Sequence, residues 1–110
     1  MAFTAYHNIT GSTGVSIELI APGSDVGEIQ SIMIANTHAT ADATVSLFIQ
    51  DEPTAAATKT FYILSTVAIP SDTSLLLDNS TVLSFDNSSS GYGLYLTVGS
   101  SDTLDVMINR

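Results

Sequence analysis

The residues of this chain that could do chemistry are two histidines, eleven acids and many serines. His7 and His38 form neither a His-x-His nor a His-x-x-x-His pair, so their spacing does not predict a zinc site. We expect both to be ordinary surface or partly hydrogen-bonded side chains. No segment matches the Asp-x-Asp-x-Asp-Gly calcium loop, although calcium binding between subunits stays open as an alternative.

Hydrolytic chemistry has little support in the residue pattern. Two carboxylates could support glycoside hydrolysis at a suitable separation, but Glu18, Glu28 and Asp105 have no aromatic platform beside them, and the chain has no Trp. No serine lies in a Gly-x-Ser-x-Gly segment, and no sequence feature identifies either histidine as the general base that would activate a serine. We therefore predict a protein that is not an enzyme, with no catalytic residue, no metal and no cofactor.

The composition predicts one acidic domain over residues 1–110. Hydrophobic residues make up 45% of the chain and charged residues only 12%, and Ser and Thr dominate the rest, which favours sheet over helix. Eleven acids against two bases give a formal net charge of -9, which repels nucleic acid and anionic lipid, so neither is expected as a partner. There is no cysteine for a disulfide framework, and no secretion signal or membrane-spanning run is visible.

The elements that would position any site are short strands. Alternation of apolar and polar residues predicts an all-β chain, an antiparallel, jelly-roll-like β-sandwich of eight to nine strands separated by Gly, Asp, Asn and Ser turns. The predicted strands are Phe3–Ile9, Val15–Ile20, Glu28–Ala35, Thr44–Asp51, Thr60–Val67, Ser74–Leu77, Val82–Phe85, Tyr92–Val98 and Thr103–Asn109.

The same alternation predicts which side chains form the core. Apolar residues recur at every second position in three of these strands, opposite polar residues such as Ser16 and Glu18. Burial of nine such side chains requires two sheets packed face to face. The nine are Val15, Ile17, Leu19, Val45, Leu47, Ile49, Leu104, Val106 and Ile108.

Five apolar residues fall out of phase, on strand faces that should be polar: Met33, Phe48, Tyr62, Tyr95 and Met107. Bulges or loops could bury them within the monomer. Alternatively they form an oligomer or docking interface, where aromatic residues and Met are enriched. We favour the second interpretation and predict a homo-oligomer.

A family resemblance follows from the second half of the chain. The segment 69–78, Ile-Pro-Ser-Asp-Thr-Ser-Leu-Leu-Leu-Asp, followed by Val82-Leu83, Leu94–Val98 and Asp105–Ile108, resembles the small all-β virion proteins of tailed bacteriophages. The segment Ile29–Asn36, with Ala-Asn-Thr before a loop, is similar in plan. The chain departs from that pattern in the 51–59 insert and in its strong acidity.

The resemblance implies a non-enzymatic virion structural protein. It implies above all a capsid decoration, or cement, protein that assembles in the host cytoplasm and lies on the outer surface of the head. Such a protein would bind copies of itself, most simply as a trimer, and the major capsid protein or another virion protein. A neck, tail or fibre adaptor is the alternative within this class. A carbohydrate-binding adhesion module using Tyr6, Tyr62, Tyr92 or Tyr95 as stacking platforms is the alternative outside it.

Overall fold

The computed structural model describes residues 5–11, 16–23, 29–51, 59–79, 83–88, 91–99 and 102–109, and these residues contain eight strands. All of the pairings between the strands are antiparallel. The strands are β1 (Ala5–Thr10), β2 (Ser16–Ile20), β3 (Ser31–Asn36), β4 (Ala43–Gln50), β5 (Thr60–Ile69), β6 (Ser74–Leu77), β7 (Gly93–Val98) and β8 (Thr103–Asn109).

The strands form two four-stranded sheets. Sheet A has the order β1-β8-β3-β6, and sheet B has the order β2-β7-β4-β5. The pairs β1–β8, β2–β7, β3–β6 and β4–β5 are those of one long hairpin folded at its middle. Rolling that hairpin up adds the β3–β8 and β4–β7 pairs and produces an eight-stranded jelly roll. The predicted antiparallel, jelly-roll-like sandwich is confirmed.

The core lies between the inner faces of the two sheets and forms one hydrophobic cluster. Six of the nine predicted core residues are buried in it, while Ile17 and Ile49 are partly buried against it and Val15 lies outside the described residues. The alternation therefore identifies the inner faces correctly. The six buried residues are Leu19, Val45, Leu47, Leu104, Val106 and Ile108.

One predicted strand, Val82–Phe85, is wrong for the three of its residues that the structure describes. Leu83, Ser84 and Phe85 are not in a strand. The backbone N–H of Leu83 instead donates to the carbonyl of Asn79 over 3.2 Å, the i to i−4 bond of a helical turn, and Leu83 is 1% exposed. The apolar side chains of this four-residue segment would lie on both faces of a strand, and the same pattern fits a helical turn. The periodicity therefore could not distinguish the two structures.

The edge strand β5 is longer than its neighbour β4 and is fitted to it by bulges. The register shifts between Val45 and Leu47 and again between Leu47 and Phe48. Thr66 lies at the first shift with a φ of 53°, an unfavourable backbone conformation for a β-branched residue. Its N–H donates to Oγ of Ser46 over 2.9 Å, which ties the bulge to β4.

Candidate interaction surfaces

Of the residues considered for catalysis and metal binding, Glu28 lies outside the described residues, and the fold does not bring the others together. His7 lies on β1, and its Nε2 is buried without a hydrogen-bond partner among the described residues. His38 follows β3, and its Nδ1 accepts the backbone N–H groups of Thr40 and Ala41 at 3.1 Å each. In the part of the chain that the structure describes, no three His, Asp or Glu side chains are grouped as metal ligands.

The outer face of sheet B carries a row of side chains that crosses all four strands. Register pairs place Glu18 beside Tyr95, Tyr95 beside Phe48, and Phe48 beside Tyr62. The Phe48 ring stacks on Tyr95 with 6.0 Å between centroids and meets Tyr62 at 5.3 Å. Phe48 and Tyr95 are buried at 3% and 4% exposure, whereas Tyr62 is 59% exposed. Two of the three rings of this aromatic row are therefore already covered within one chain, and the ring of Tyr62 at the β5 end is exposed.

The outer face of sheet A carries a second row, which is apolar throughout. Register pairs place Tyr6 beside Met107, Met107 beside Met33, and Met33 beside Leu76. The two methionines are half-buried, and the ends of the row are exposed, Tyr6 at 66% and Leu76 at 53%. We call these four residues the methionine row. Unlike the aromatic row, it is exposed at both edges of its sheet and partly exposed between them.

The five residues predicted as an interface thus lie on two opposite faces of the sandwich. Phe48, Tyr62 and Tyr95 belong to the aromatic row, and Met33 and Met107 form the middle of the methionine row. For Phe48 and Tyr95 the geometry agrees with the alternative interpretation, burial within the monomer. Met33, Met107 and Tyr62 remain candidates for an interface.

Most of the acids that the structure describes lie outside the strands that form these two faces. Of these eight acids, only Glu18 and Asp105 lie within the eight strands, which leaves six outside the strand bounds. Asp105 accepts a hydrogen bond from the amide of Asn8 at 2.6 Å, and Glu18 accepts one from the hydroxyl of Tyr95 at 3.3 Å. Each outer face therefore presents apolar and small polar groups and one hydrogen-bonded carboxylate.

An open cavity lies at the β6 end of the methionine row. It has a volume of about 160 Å³ and is lined by Leu76, Leu77, Asp78, Asn79 and Leu83. Three leucines make it mainly apolar, with one carboxylate and one amide among the lining groups. An exposed apolar row that ends at an apolar cavity could bind a large side chain of a partner.

The sequence did not identify Tyr6 and Leu76 as members of an apolar row on one sheet face. In the sequence, Tyr6 stands out only as one of four tyrosines, because its neighbours Ala5 and His7 do not show which face of the strand is apolar. Leu76 stands in the apolar run Leu75–Leu77, which has no alternation to mark its outward direction. The signal that identifies them is the strand order, which brings both into register with Met33 and Met107.

Within the described ranges we find no helix with the length and hydropathy of a membrane span. Comparison of the chain with protein-family models, with curated proteins and with solved structures returns no match in any of the three.

Proposed function

We propose that this chain is a non-enzymatic structural subunit of a virion, a capsid decoration protein that binds to the outer surface of a bacteriophage head and stabilises it. The observation that carries the proposal is the methionine row, an apolar strip across a whole sheet face that has a single carboxylate within its strands. Aromatic and Met side chains are enriched in interfaces and charged side chains are depleted at their centres. Such a face suits a subunit that works by packing against other proteins.

Two further features support the same role. The jelly roll is a fold used by viral capsid domains and by lectins, so it is compatible with virion assembly without requiring it. The resemblance of segment 69–78 and of the β7 and β8 sequences to small virion proteins is independent of the surface argument. A neck, tail or fibre adaptor has the same surface requirements, and it is the alternative within this class.

Reconstruction of the purified particle of the source phage tests this function most directly. We expect copies of this chain on the head surface, contacting the major capsid protein at or near capsomer junctions. Purified protein should also bind to expanded heads that lack it and should raise their resistance to heat. A single ring of copies at the neck or tail would favour the adaptor role, and absence of the chain from the particle would contradict both.

A carbohydrate-binding module is a second candidate, favoured by one specific arrangement. Tyr62 is exposed on β5, and in the next register pair on the same face of the sheet the amide of Gln50 donates to the hydroxyl of Thr60 at 2.9 Å. An exposed aromatic ring beside an amide and a hydroxyl could bind a sugar by stacking and hydrogen bonding. A glycan array with purified protein tests this, and binding that Tyr62→Ala removes would support the module over the assembly subunit.

A further inference from the structure

We propose that the outer face of sheet A binds the same face of a second copy of this chain, with Tyr6 of each copy lying over Leu76 of the other. The inference rests on the proposed function as an assembly subunit and names the surface through which two copies join. Three properties of the face carry it: its regularity, the order of its side chains and the cavity at its edge.

Sheet A has the regular backbone that stacking of two sheets requires. The pairs β1–β8, β3–β8 and β3–β6 run without a register shift. In sheet B, by contrast, the pairs β2–β7 and β4–β5 both contain shifts. Two sheets that pack face to face lie about 10 Å apart and need continuous contact along aligned strands. Sheet A therefore offers the better stacking face of the two.

The methionine row is self-complementary under a two-fold rotation. An axis parallel to the strands and between β8 and β3 lays Tyr6 over Leu76 of the second copy and Met107 over Met33. Both ends of the interface then contain the same pair of side chains, so the two sheets stay equally spaced. Rotation about the other in-plane axis would set Tyr over Tyr and Leu over Leu, and the sheets would splay apart at one end.

The cavity beside Leu76 supports the same arrangement. In the stacked pair, Tyr6 of the second copy is placed at the β6 edge, where Leu76, Leu77 and Leu83 line the cavity of about 160 Å³. These leucines suit the apolar ring of a tyrosine. The exposed ring at one end of the row thus has a receiving site at the other end.

The polar neighbours of the row are compatible with the same axis. The next register row contains Asn8, Asp105, Ala35 and Ser74. The rotation lays Asp105 over Ala35 of the second copy and Asn8 over Ser74, so that the two carboxylates do not face each other. Because Asp105 keeps its bond from Asn8, stacking leaves it with a partner in its own chain.

The size of the face predicts how strong this association is. Four strands about 4.8 Å apart and about six residues of about 3.4 Å each give roughly 400 Å² per copy. A standard stable interface buries about 800 Å² per partner. We therefore expect a reversible dimer whose population depends on protein concentration, and which becomes extensive where an assembly holds many copies close together.

A charge-exchange experiment with Tyr6→Lys and Leu76→Glu tests the proposal. Each variant alone should raise the dimer dissociation constant in sedimentation equilibrium about tenfold or more, because the new charge is buried over an apolar residue. An equimolar mixture should restore dimers, since an ammonium group at position 6 then lies over a carboxylate at position 76. Within one chain these positions are three strands, or about 14 Å, apart, so only contact between copies can produce this rescue.

The control is Tyr62→Lys, which alters a residue of similar exposure on sheet B and should leave the dissociation constant unchanged. Circular dichroism should report folded protein for all three variants, because each altered side chain is more than half exposed. The proposal would be overturned if the wild-type protein at high concentration had the mass of one or three copies. It would also be overturned if the equimolar mixture did not form dimers. Restored dimers in an equimolar mixture of Tyr6→Lys and Tyr6→Glu would also overturn it, because position 6 of one copy would then lie over position 6 of the other. These outcomes leave the particle reconstruction as a separate test of the proposed function.

Discussion

The hydroxyl group of Tyr95 on β7 donates a hydrogen bond to Oε2 of Glu18 on β2, with 3.3 Å between the two oxygens. The two residues are register partners, and the pair closes the aromatic row at the β2 edge of sheet B. Burial of the phenol, the negative charge of Glu18 and this bond together raise the pKa of Tyr95 to about 12. The arrangement therefore holds Tyr95 in its neutral form.

The raised pKa of Tyr95 predicts a loss of stability at alkaline pH. The unfolded chain ionises this tyrosine near pH 10 and the folded chain near 12, so the contribution is fully present below about 10 and is lost as the pH rises through 12. At 1.36 kcal/mol per pKa unit, the loss is at most about 3 kcal/mol. Urea unfolding between pH 8 and 12 should show this decline in the wild type and in Tyr62→Phe. Tyr95→Phe should lack it, and an equal decline in that variant would contradict the assignment.

The inner faces of the sandwich could be predicted because they depend on local alternation. Leu104, Val106 and Ile108 recur at every second position of β8, opposite the polar residues Asp105 and Asn109, and one side of β8 must be buried whichever strands lie beside it. The two outer rows could not be predicted in the same way. Met33 and Met107 become neighbours only because β8, from the far end of the chain, pairs with β3. Such long-range pairing is a property of the topology and leaves no periodic signal.

The burial of Asn36 also has no signal in the sequence, and it predicts a large effect on stability. Its side-chain amide donates to the carbonyls of Ala41 at 2.9 Å and Ile69 at 3.0 Å, and its Oδ1 accepts the N–H of His38 at 3.0 Å. Asn36→Ala leaves these groups unpaired, and we expect the free energy of unfolding to fall by about 2 to 4 kcal/mol. The matched control is Asn8→Ala, at an exposed amide, with an expected loss below about 1 kcal/mol. Equal losses in urea unfolding would contradict this explanation.

The aromatic row predicts different costs for two neighbouring residues. Phe48 is 3% exposed between Tyr62 and Tyr95, so Phe48→Ala should leave a cavity and lower the free energy of unfolding by about 3 to 5 kcal/mol. Tyr62→Ala removes a ring that is 59% exposed and should cost less than about 1.5 kcal/mol. Chemical unfolding of the two variants compares these costs. A loss below about 1 kcal/mol for Phe48→Ala would mean that the row is not packed within one chain.

The backbone of Thr66 predicts a stabilising substitution. A β-branched residue at a φ of 53° is strained by about 1 to 3 kcal/mol, and glycine adopts this conformation without that strain. The N–H that Thr66 donates to Ser46 belongs to the backbone and is kept. After the entropic cost of glycine, we expect Thr66→Gly to raise the free energy of unfolding by about 0.5 to 2 kcal/mol. Thr44→Gly, at an exposed position of β4 without positive φ, should lower it instead. A lower Tm for both variants would contradict the explanation that the backbone of Thr66 is strained.

The net charge of -9 predicts that association between copies increases with salt. Stacking of the sheet A faces brings two acidic chains together, and their repulsion extends over about 30 Å in 10 mM salt but only a few Å in 500 mM. Sedimentation equilibrium in sodium chloride should therefore give a lower dissociation constant at the higher concentration. The Tyr6→Lys variant should remain mainly monomeric at both salt concentrations. Salt screens the repulsion between the two acidic chains, but it does not remove the charge that this variant buries at the contact. Since a contact held together by salt bridges would weaken on addition of salt, a rise in the dissociation constant would show that the interface does not lie on this nearly uncharged face.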